Sequence, residues 1–128
     1  MFKNQPQLGE EFILEKVVTD TDTASYYGSG GIDVFATPAM VSLMENAALQ
    51  IDKYLEEGYA TVGTEICVKH VKATPVGMKV RAKAKLVQIE GQKLLFEVEA
   101  FDEEGKIGFG THRRYVIDKQ RFFEKIKR

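Results

Sequence analysis

One apolar helix followed by a long stretch of alternating residues constrains the fold of this chain more than any other feature. The helical pattern is carried by apolar residues that recur at intervals of three and four: Met40, Met44, Ala47, Ala48, Ile51 and Leu55. Thr37 before Pro38 predicts the N-cap and Gly58 the end, so we expect about five turns. Residues 59–117 then alternate between apolar and polar, which predicts four antiparallel strands. Because a helix this apolar must be buried, we expect the sheet to curl around it.

The remaining elements complete an α+β pattern, with one antiparallel sheet wrapped around one long central helix. Residues 11–19 predict a first strand, and residues 20–32 predict one helical turn followed by a glycine-rich loop. Asp118 is the predicted cap of a short terminal helix over residues 119–127.

Opposite charges predict the register of one hairpin in this sheet. A three-residue loop at residues 90–92 would set Lys85 opposite Glu97 and Lys83 opposite Glu99. The apolar residues between these charges then fall on the face that is turned toward the helix.

Length and composition indicate a globular chain with one domain, residues 1–128. The net charge of −1 argues against nucleic-acid binding, because counterion release requires an excess of Lys and Arg. The only cysteine, Cys67, cannot form an internal disulfide, and no stretch has the apolar length of a signal peptide or a bilayer span. We therefore expect a cytoplasmic protein that does not bind membranes. The open edges of the predicted sheet favour a homodimer or a higher oligomer.

Three polar residues converge on the predicted contact between helix and sheet. Thr37 and Glu45 lie on one ridge of the helix, so Glu45 flanks the apolar stripe. His70 shares a strand face with Ile66 and Val68, which is the face turned toward the helix. Hydroxyl, carboxylate and imidazole are the groups that acyl-transfer chemistry requires. The alternative is structural: a helix cap, a boundary carboxylate and a hydrogen-bonded core histidine.

Four blocks of sequence, in order and at matching spacing, carry a resemblance to a known family: VFATPAMVSLME, TVGTEICVKHVKATPVG, VQIEGQKLLFEVEAFDE and IGFGTHRRYVID. They resemble the fluoroacetyl-CoA thioesterase-like family, which has the hot-dog fold, and the resemblance extends over residues 8–123. It implies that Thr37, Glu45 and His70 are catalytic. It also implies that Gly63 lies beside the acyl pocket, that Arg114 lies near the site and the CoA entrance, and that a dimer places its active sites at the subunit boundary.

With this resemblance, the sequence predicts an acyl-CoA thioesterase in which Glu45 orients His70 as general base and Thr37 attacks or positions water. In the fluoroacetyl-specific enzyme, the segment before the helix is longer and carries phenylalanines that form a lid. Here residues 26–33 are shorter, glycine-rich and free of phenylalanine, which favours a short- or medium-chain acyl-CoA. The alternatives are a non-catalytic hot-dog module that binds acyl-CoA as a sensor, and a dehydratase-like hot-dog enzyme.

We expect no metal site, because no pair of His, Cys or acidic residues has ligand spacing, and no cofactor beyond the CoA of the substrate. The basic residues within 81–85 could meet the phosphates of CoA, but their spacing opposite glutamates favours a solvated sheet face. His112 and Arg113 could touch the nucleotide, although a surface strand end is the preferred prediction. Cys67 is predicted to be a small packing residue and not a nucleophile.

Overall fold

The computed structural model describes residues 1–127. Its elements are, in order, β1 (Glu11–Val17), a 3-10 turn (Asp20–Asp22), α1 (Ala24–Tyr27), α2 (Thr37–Leu49) with a 3-10 continuation (Gln50–Tyr54), β2 (Tyr59–His70), β3 (Lys79–Glu90), β4 (Lys93–Asp102), β5 (Gly105–Asp118) and α3 (Lys119–Ile126). The strands pair antiparallel in the order β1-β3-β4-β5-β2. The predicted α+β arrangement, one antiparallel sheet around one long helix, is confirmed.

Helix α2 and its continuation form the centre of the core. Their inner face consists of fully buried side chains: Met40, Met44, Ala47, Ala48 and Ile51. The facing residues of β3 and β4 alternate as predicted and are equally buried: Val80, Ala82, Ala84, Leu86, Leu94, Phe96, Val98 and Ala100. Each buried large apolar side chain contributes about 1.5–3 kcal/mol, so this packing fixes the helix on the sheet. The polar residues that α2 carries are therefore held in fixed positions as well.

The start of α2 differs from the prediction. The helix begins at Thr37, and Ala36 is the N-cap residue, which has no side-chain capping bond. The prediction of Thr37 as the cap was wrong because its hydroxyl is hydrogen-bonded to His70 instead of to the first turn of the helix. The end of the helix agrees better: the 3-10 continuation stops before Gly58, which has the positive φ of 92° that glycine adopts readily.

The hairpin between β3 and β4 has the predicted register and a different loop. Lys85 pairs with Glu97 and Lys83 with Glu99, as the charges predict. The loop has two residues instead of three, because the innermost pair joins residues 90 and 93. A bulge between Leu86 and residue 88 absorbs the extra residue and restores the register beyond it.

Strands β2 and β5 approach each other closely at a glycine. Gly110 pairs with Val68, and a Cβ atom on Gly110 would overlap the carbonyl oxygen of Cys67 and lie 2.7 Å from Cα of Val68. Backbone atoms cannot move aside as a flexible side chain can. This close pairing fixes the C-terminal half of β2, which carries His70.

The sheet has β1 and β2 as its two edges. The free edge of β2 extends over 12 residues, which is long for an unpaired strand. Among residues 1–127, no helix combines the length and apolar character that a bilayer crossing requires.

Candidate active site

The first residue of α2 and the last residue of β2 meet in a hydrogen bond. Oγ1 of Thr37 lies 2.7 Å from Nδ1 of His70. The two side chains form part of a cleft of about 320 Å³ whose other walls come from the segment before α2 and the loop after β2: Ala24, Ser29, Val34, Phe35, Val71, Lys72 and Ala73. The ring of Phe35 meets the His70 imidazole edge-on, with centroids 6.4 Å apart. The structure thus brings together two of the three predicted catalytic side chains.

Of the two ring nitrogens of His70, one is hydrogen-bonded and the other has no hydrogen-bond partner within residues 1–127. Burial lowers the pKa of His70, and the nearby backbone of Lys72 offsets part of that shift, so the neutral ring predominates at pH 7. When the Thr37 hydroxyl donates to Nδ1, the ring proton resides on Nε2. Within residues 1–127, Nε2 is a buried side-chain nitrogen with no hydrogen-bond partner of normal geometry. A buried N–H of this kind is satisfied by an acceptor such as a carboxylate.

The loop that follows β2 is anchored by a buried carboxylate. Asp102 accepts hydrogen bonds from Lys72 at 2.6 Å and from Thr74 at 2.8 Å, and the carbonyl of Thr74 accepts from the N–H of Phe35 at 2.8 Å. Burial raises the pKa of Asp102, but the bonds from Lys72, the Glu104 N–H and Thr74 outweigh it and hold that pKa below its usual value. The wall of the cleft is therefore fixed to the end of β4.

Glu45, the third predicted catalytic residue, lies at the other end of the helix–strand contact. Its Oε2 is 3.3 Å from the position that a Cβ on Gly63 would occupy. Eight residues separate Glu45 from Thr37, which corresponds to about 12 Å along a helix. Helix α2 crosses β2 in the antiparallel sense, with Thr37 beside His70 and Glu45 beside Gly63. Within one chain, the structure does not bring Glu45 to His70.

The predicted substrate-binding residues Gly63 and Arg114 lie together with Glu45. Nη1 of Arg114 is 3.6 Å from the Cβ position of Gly63. The guanidinium is buried and donates through Nε to Oγ1 of Thr61 at 2.8 Å and through Nη2 to its carbonyl at 3.1 Å. The Thr61 hydroxyl donates in turn to Asp52 at 2.5 Å. Burial lowers the pKa of Arg114, whereas the charges of Asp52 and Glu45 raise it.

His112 belongs to the same cluster, and its prediction as a surface strand end was wrong. The side chain is 1% exposed, its ring stacks on Phe96 at 6.3 Å, and its Cε1 lies 3.1 Å from the Cβ position of Gly63. The signal that identifies it is register: His112 pairs directly with Phe96, a residue predicted to face the helix. Side chains of a cross-strand pair lie on the same face of a sheet, so His112 points inward.

The weaker candidates lie outside both clusters. Lys83 forms ion pairs with Glu11 and Glu99, as expected of a solvated sheet face. Cys67 is exposed, so the prediction of a small packing residue was wrong, because its strand face is turned to solvent. Within the described part of the chain, no group of three or more His, Cys, Asp or Glu residues has the arrangement of a metal site.

Comparisons with known proteins show which family this chain resembles. A family model described as fluoroacetyl-CoA-specific thioesterase matches residues 18–120. The fluoroacetyl-CoA thioesterase of Streptantibioticus cattleyicolor is 45% identical over 96 residues, which is 74% of this chain and 69% of that protein. The solved structure of the fluoroacetyl-CoA thioesterase FlK has a TM-score of 0.91 and 38% identity, with 97% of each chain covered.

A more distant solved structure shows the same architecture. A thioesterase superfamily member from Thermus thermophilus has a TM-score of 0.85 and 32% identity, covering 94% of this chain and 93% of that one. The family match and the structural similarity extend over both clusters at the two ends of the α2–β2 contact. The chain therefore belongs to the fluoroacetyl-CoA-specific thioesterase family and is an acyl-CoA thioesterase with the hot-dog fold.

Proposed function

We propose that the chain hydrolyses short- or medium-chain acyl-CoA thioesters at a site that two subunits complete. Thr37 and His70 come from one protomer, and Glu45 comes from its partner. The observation that carries this proposal is the unpartnered Nε2 of His70, which lies too far from Glu45 of its own chain to be satisfied by it.

The free edge of β2 supports the proposed dimer. Two copies of an edge strand pair antiparallel about a two-fold axis, which also covers the open β2 edge of each protomer. An axis near Ile66 would set the Gly63 end of one β2 opposite the His70 end of the other. The carboxylate of Glu45 would then enter the cleft of the partner and accept from Nε2 of His70.

The cellular compartment is a separate part of the proposal. The free Cys67 fits a reducing compartment, and we propose that the enzyme is cytoplasmic.

The proposed chemistry follows from the tautomer of His70. The neutral imidazole takes the proton of the Thr37 hydroxyl, or of a water that this hydroxyl positions, as oxygen attacks the thioester carbonyl. The carboxylate of Glu45 stabilises the imidazolium that forms. The C–S bond then breaks, and the imidazolium returns its proton to the leaving CoA sulfur. If Thr37 is the nucleophile, water hydrolyses the acyl-threonine in a second step with the same base.

The N-terminus of α2 provides a site for the negative charge that develops on the carbonyl oxygen. The first N–H groups of a helix have no carbonyl partner within it, and the helix dipole favours negative charge there. Backbone amides near Gly63 are a second source of donors. These groups act where the tetrahedral oxyanion forms, so their effect falls on the transition state. The proposed reaction uses side chains, backbone groups and water, and CoA takes part only as a portion of the substrate.

The acyl pocket is proposed to accept a general short or medium chain. Residues 28–31 contain three glycines and one serine, and none of residues 28–33 supplies an aromatic wall. Solved structures of FlK include a threonine-to-alanine variant with fluoroacetate and a threonine-to-serine variant with acetyl-CoA. These complexes support a threonine at the acyl-binding site of the family, and the open segment before α2 supports broader acyl selection here.

Thiol release from a series of acyl-CoAs, from acetyl- to dodecanoyl-CoA with fluoroacetyl-CoA included, tests the proposal. We expect the wild type to release CoA from the shorter members, and His70→Ala and Thr37→Ala to lose that activity. Cys67→Ala, an exposed change three residues before His70 on the same strand, is the matched control and should behave as wild type. Binding of the series without thiol release would favour a sensor, and wild-type activity in both variants would refute the site.

Light scattering tests the dimer separately. The two-subunit site requires a particle of at least twice the chain mass of 14.4 kDa under assay conditions. An active particle of 14.4 kDa would exclude a site shared between subunits.

A further inference from the structure

We propose that His112 is a positioning residue of this active site: it holds the guanidinium of Arg114 away from Glu45, so that the carboxylate remains free for catalysis. This inference rests on the proposed function, because it assigns His112 a role in supporting the residue that orients the catalytic base.

Hydrogen bonding fixes both the charge and the tautomer of His112. Its Nδ1 lies 2.8 Å from the carbonyl oxygen of Glu65, which can only accept, so Nδ1 carries the proton. Its Nε2 lies 3.0 Å from Nη1 of Arg114, which can only donate, so Nε2 is a lone-pair acceptor. A protonated ring would turn two donors toward each other. Burial, together with the charge of Arg114, also lowers the pKa of His112, against the opposing effect of the Glu65 carbonyl.

The guanidinium of Arg114 is oriented by these contacts from three of its nitrogens. Nε and Nη2 donate to Thr61, whose hydroxyl is itself held by Asp52, and Nη1 donates to His112. The ring of His112 cannot swing away, because it is stacked on Phe96 and bonded to the backbone of β2. The neutral imidazole therefore acts as a rigid acceptor for Nη1.

Without that acceptor, Nη1 has a stronger partner nearby. Nη1 of Arg114 and Oε2 of Glu45 both lie within 3.6 Å of the empty Cβ position of Gly63. Among residues 1–127, however, no ion pair within 4 Å joins Glu45 to Arg114. A charge-assisted pair between them would be shorter and stronger than the bond to imidazole. It would occupy the carboxylate oxygen that is proposed to orient His70.

Two substitutions distinguish the loss of the hydrogen-bond acceptor of His112 from the loss of its aromatic ring. His112→Phe keeps an aromatic ring on Phe96 and removes both nitrogens, whereas His112→Gln places an amide oxygen where it can accept from Nη1. We expect kcat of His112→Phe to fall by about 10- to 100-fold with a smaller change in KM, and kcat of His112→Gln to stay within about 3-fold of wild type. Equal losses in both variants would overturn the proposal.

A double-mutant cycle distinguishes positioning from a structural role. If His112 acts through Arg114, then His112→Phe should cause little further loss of kcat in an Arg114→Met background. Independent losses that multiply would contradict the proposal. Thermal melting of every variant checks that the kcat values compared in the cycle come from folded proteins.

A crystal structure of His112→Phe tests the proposal without any measurement of activity. We expect Arg114 to lie within 4 Å of Glu45 in that variant, and a guanidinium that keeps its wild-type position would overturn the inference. A wild type that releases no CoA would defeat the proposed function, while this structural outcome would still decide the role of His112. If His112→Phe does not fold, the folded His112→Gln variant must retain the wild-type separation of Arg114 and Glu45, or the inference fails.

Discussion

The two ends of the α2–β2 contact are built in opposite ways. At one end, Thr37 is exposed, and His70 makes one side-chain hydrogen bond and has a buried nitrogen with no partner among residues 1–127. At the other end, Arg114 and His112 are buried, and both ring nitrogens of His112 are bonded. The first end is incomplete within one chain, and the second is already ordered. In the proposed dimer, Thr37 and His70 gain their carboxylate from the partner subunit, whereas the cluster around Arg114 is already ordered within one chain.

The largest expected effect is on kcat/KM and comes from Glu45 and His70, which lie at opposite ends of the α2–β2 contact. We expect Glu45→Gln and His70→Ala each to lower kcat/KM by about 1,000-fold, because the proposed base and its proposed orienting carboxylate would act as one unit. The double variant should be little worse than either single one, as steady-state thiol release would measure. Losses that multiply in the double variant would mean that the two ends act independently.

We expect substitutions at the Arg114 end of the α2–β2 contact to lower the free energy of unfolding, and substitutions at the Thr37 end to leave it nearly unchanged. Arg114→Met leaves its partners Thr61 and His112 unsatisfied in the interior, so we expect a loss of about 2–4 kcal/mol in the free energy of unfolding. Thr37→Ala should change it by less than about 0.5 kcal/mol, because its side chain is exposed. Urea unfolding measures both.

The neighbouring arginine is the matched control for this prediction. Arg113 is exposed and pairs with the equally exposed Glu65, so Arg113→Met should cost less than about 1 kcal/mol. Similar costs for Arg113→Met and Arg114→Met would show that the buried cluster is no more ordered than the surface.

A smaller effect is expected from filling the space beside Glu45. The Cβ of Gly63→Ala would lie 3.1 Å from His112 and 3.3 Å from Glu45, so those side chains must shift by a few tenths of an ångström. We expect kcat/KM to fall by about 10-fold with little change in melting temperature. Gly31→Ala, where a Cβ meets no atom within 4 Å, is the control. Full activity of Gly63→Ala would show that the position of Glu45 is not critical.

The smallest expected effect is a displacement of the pH profile. The neutral form of His70 is the proposed base, so we expect activity to be lost as the pH falls through its pKa in the folded protein. Burial within one chain lowers that pKa from the ordinary 6.5, whereas the carboxylate of the partner's Glu45 would raise it, so the acid limb of the residual kcat/KM of Glu45→Gln should lie at lower pH than that of the wild type. An acid limb in thiol-release assays that does not move when Glu45 is replaced by Gln would contradict the proposed contact between Glu45 and His70.

Most of the fold follows from periodicity, because apolar spacing of three to four and of two determines which faces must be buried. Local backbone geometry is predicted less well by this periodicity. The two-residue loop between β3 and β4 is possible only because a bulge after Leu86 takes up a residue, and no residue type marks that bulge in the sequence. The N-cap assignment failed because Thr37 bonds to a residue 33 positions away, which is a tertiary contact.

The sequence predicts the positions of individual side chains of the candidate site, but it does not predict which of them meet. The inward face of His70 follows from strand alternation, and its contact with Thr37 follows once the strand end meets the helix start. The separation of Glu45 from His70 depends on the antiparallel crossing of α2 over β2, which the sequence does not specify. His112 was missed because its environment depends on the pairing of β5 with Phe96 in β4.

Subunit complementation tests the two-subunit site most directly. We expect His70→Ala and Glu45→Gln to be nearly inactive alone, but in the proposed arrangement a mixed dimer contains one cleft with an intact His70 and an intact Glu45. After complete exchange at equal concentrations, we expect about a quarter of the wild-type rate, because half of the dimers are mixed and each has one working site. A mixture of Thr37→Ala with His70→Ala should stay inactive, since those residues share one chain. If the first mixture also stays inactive although mixed dimers form, each active site lies within one chain and the account is wrong.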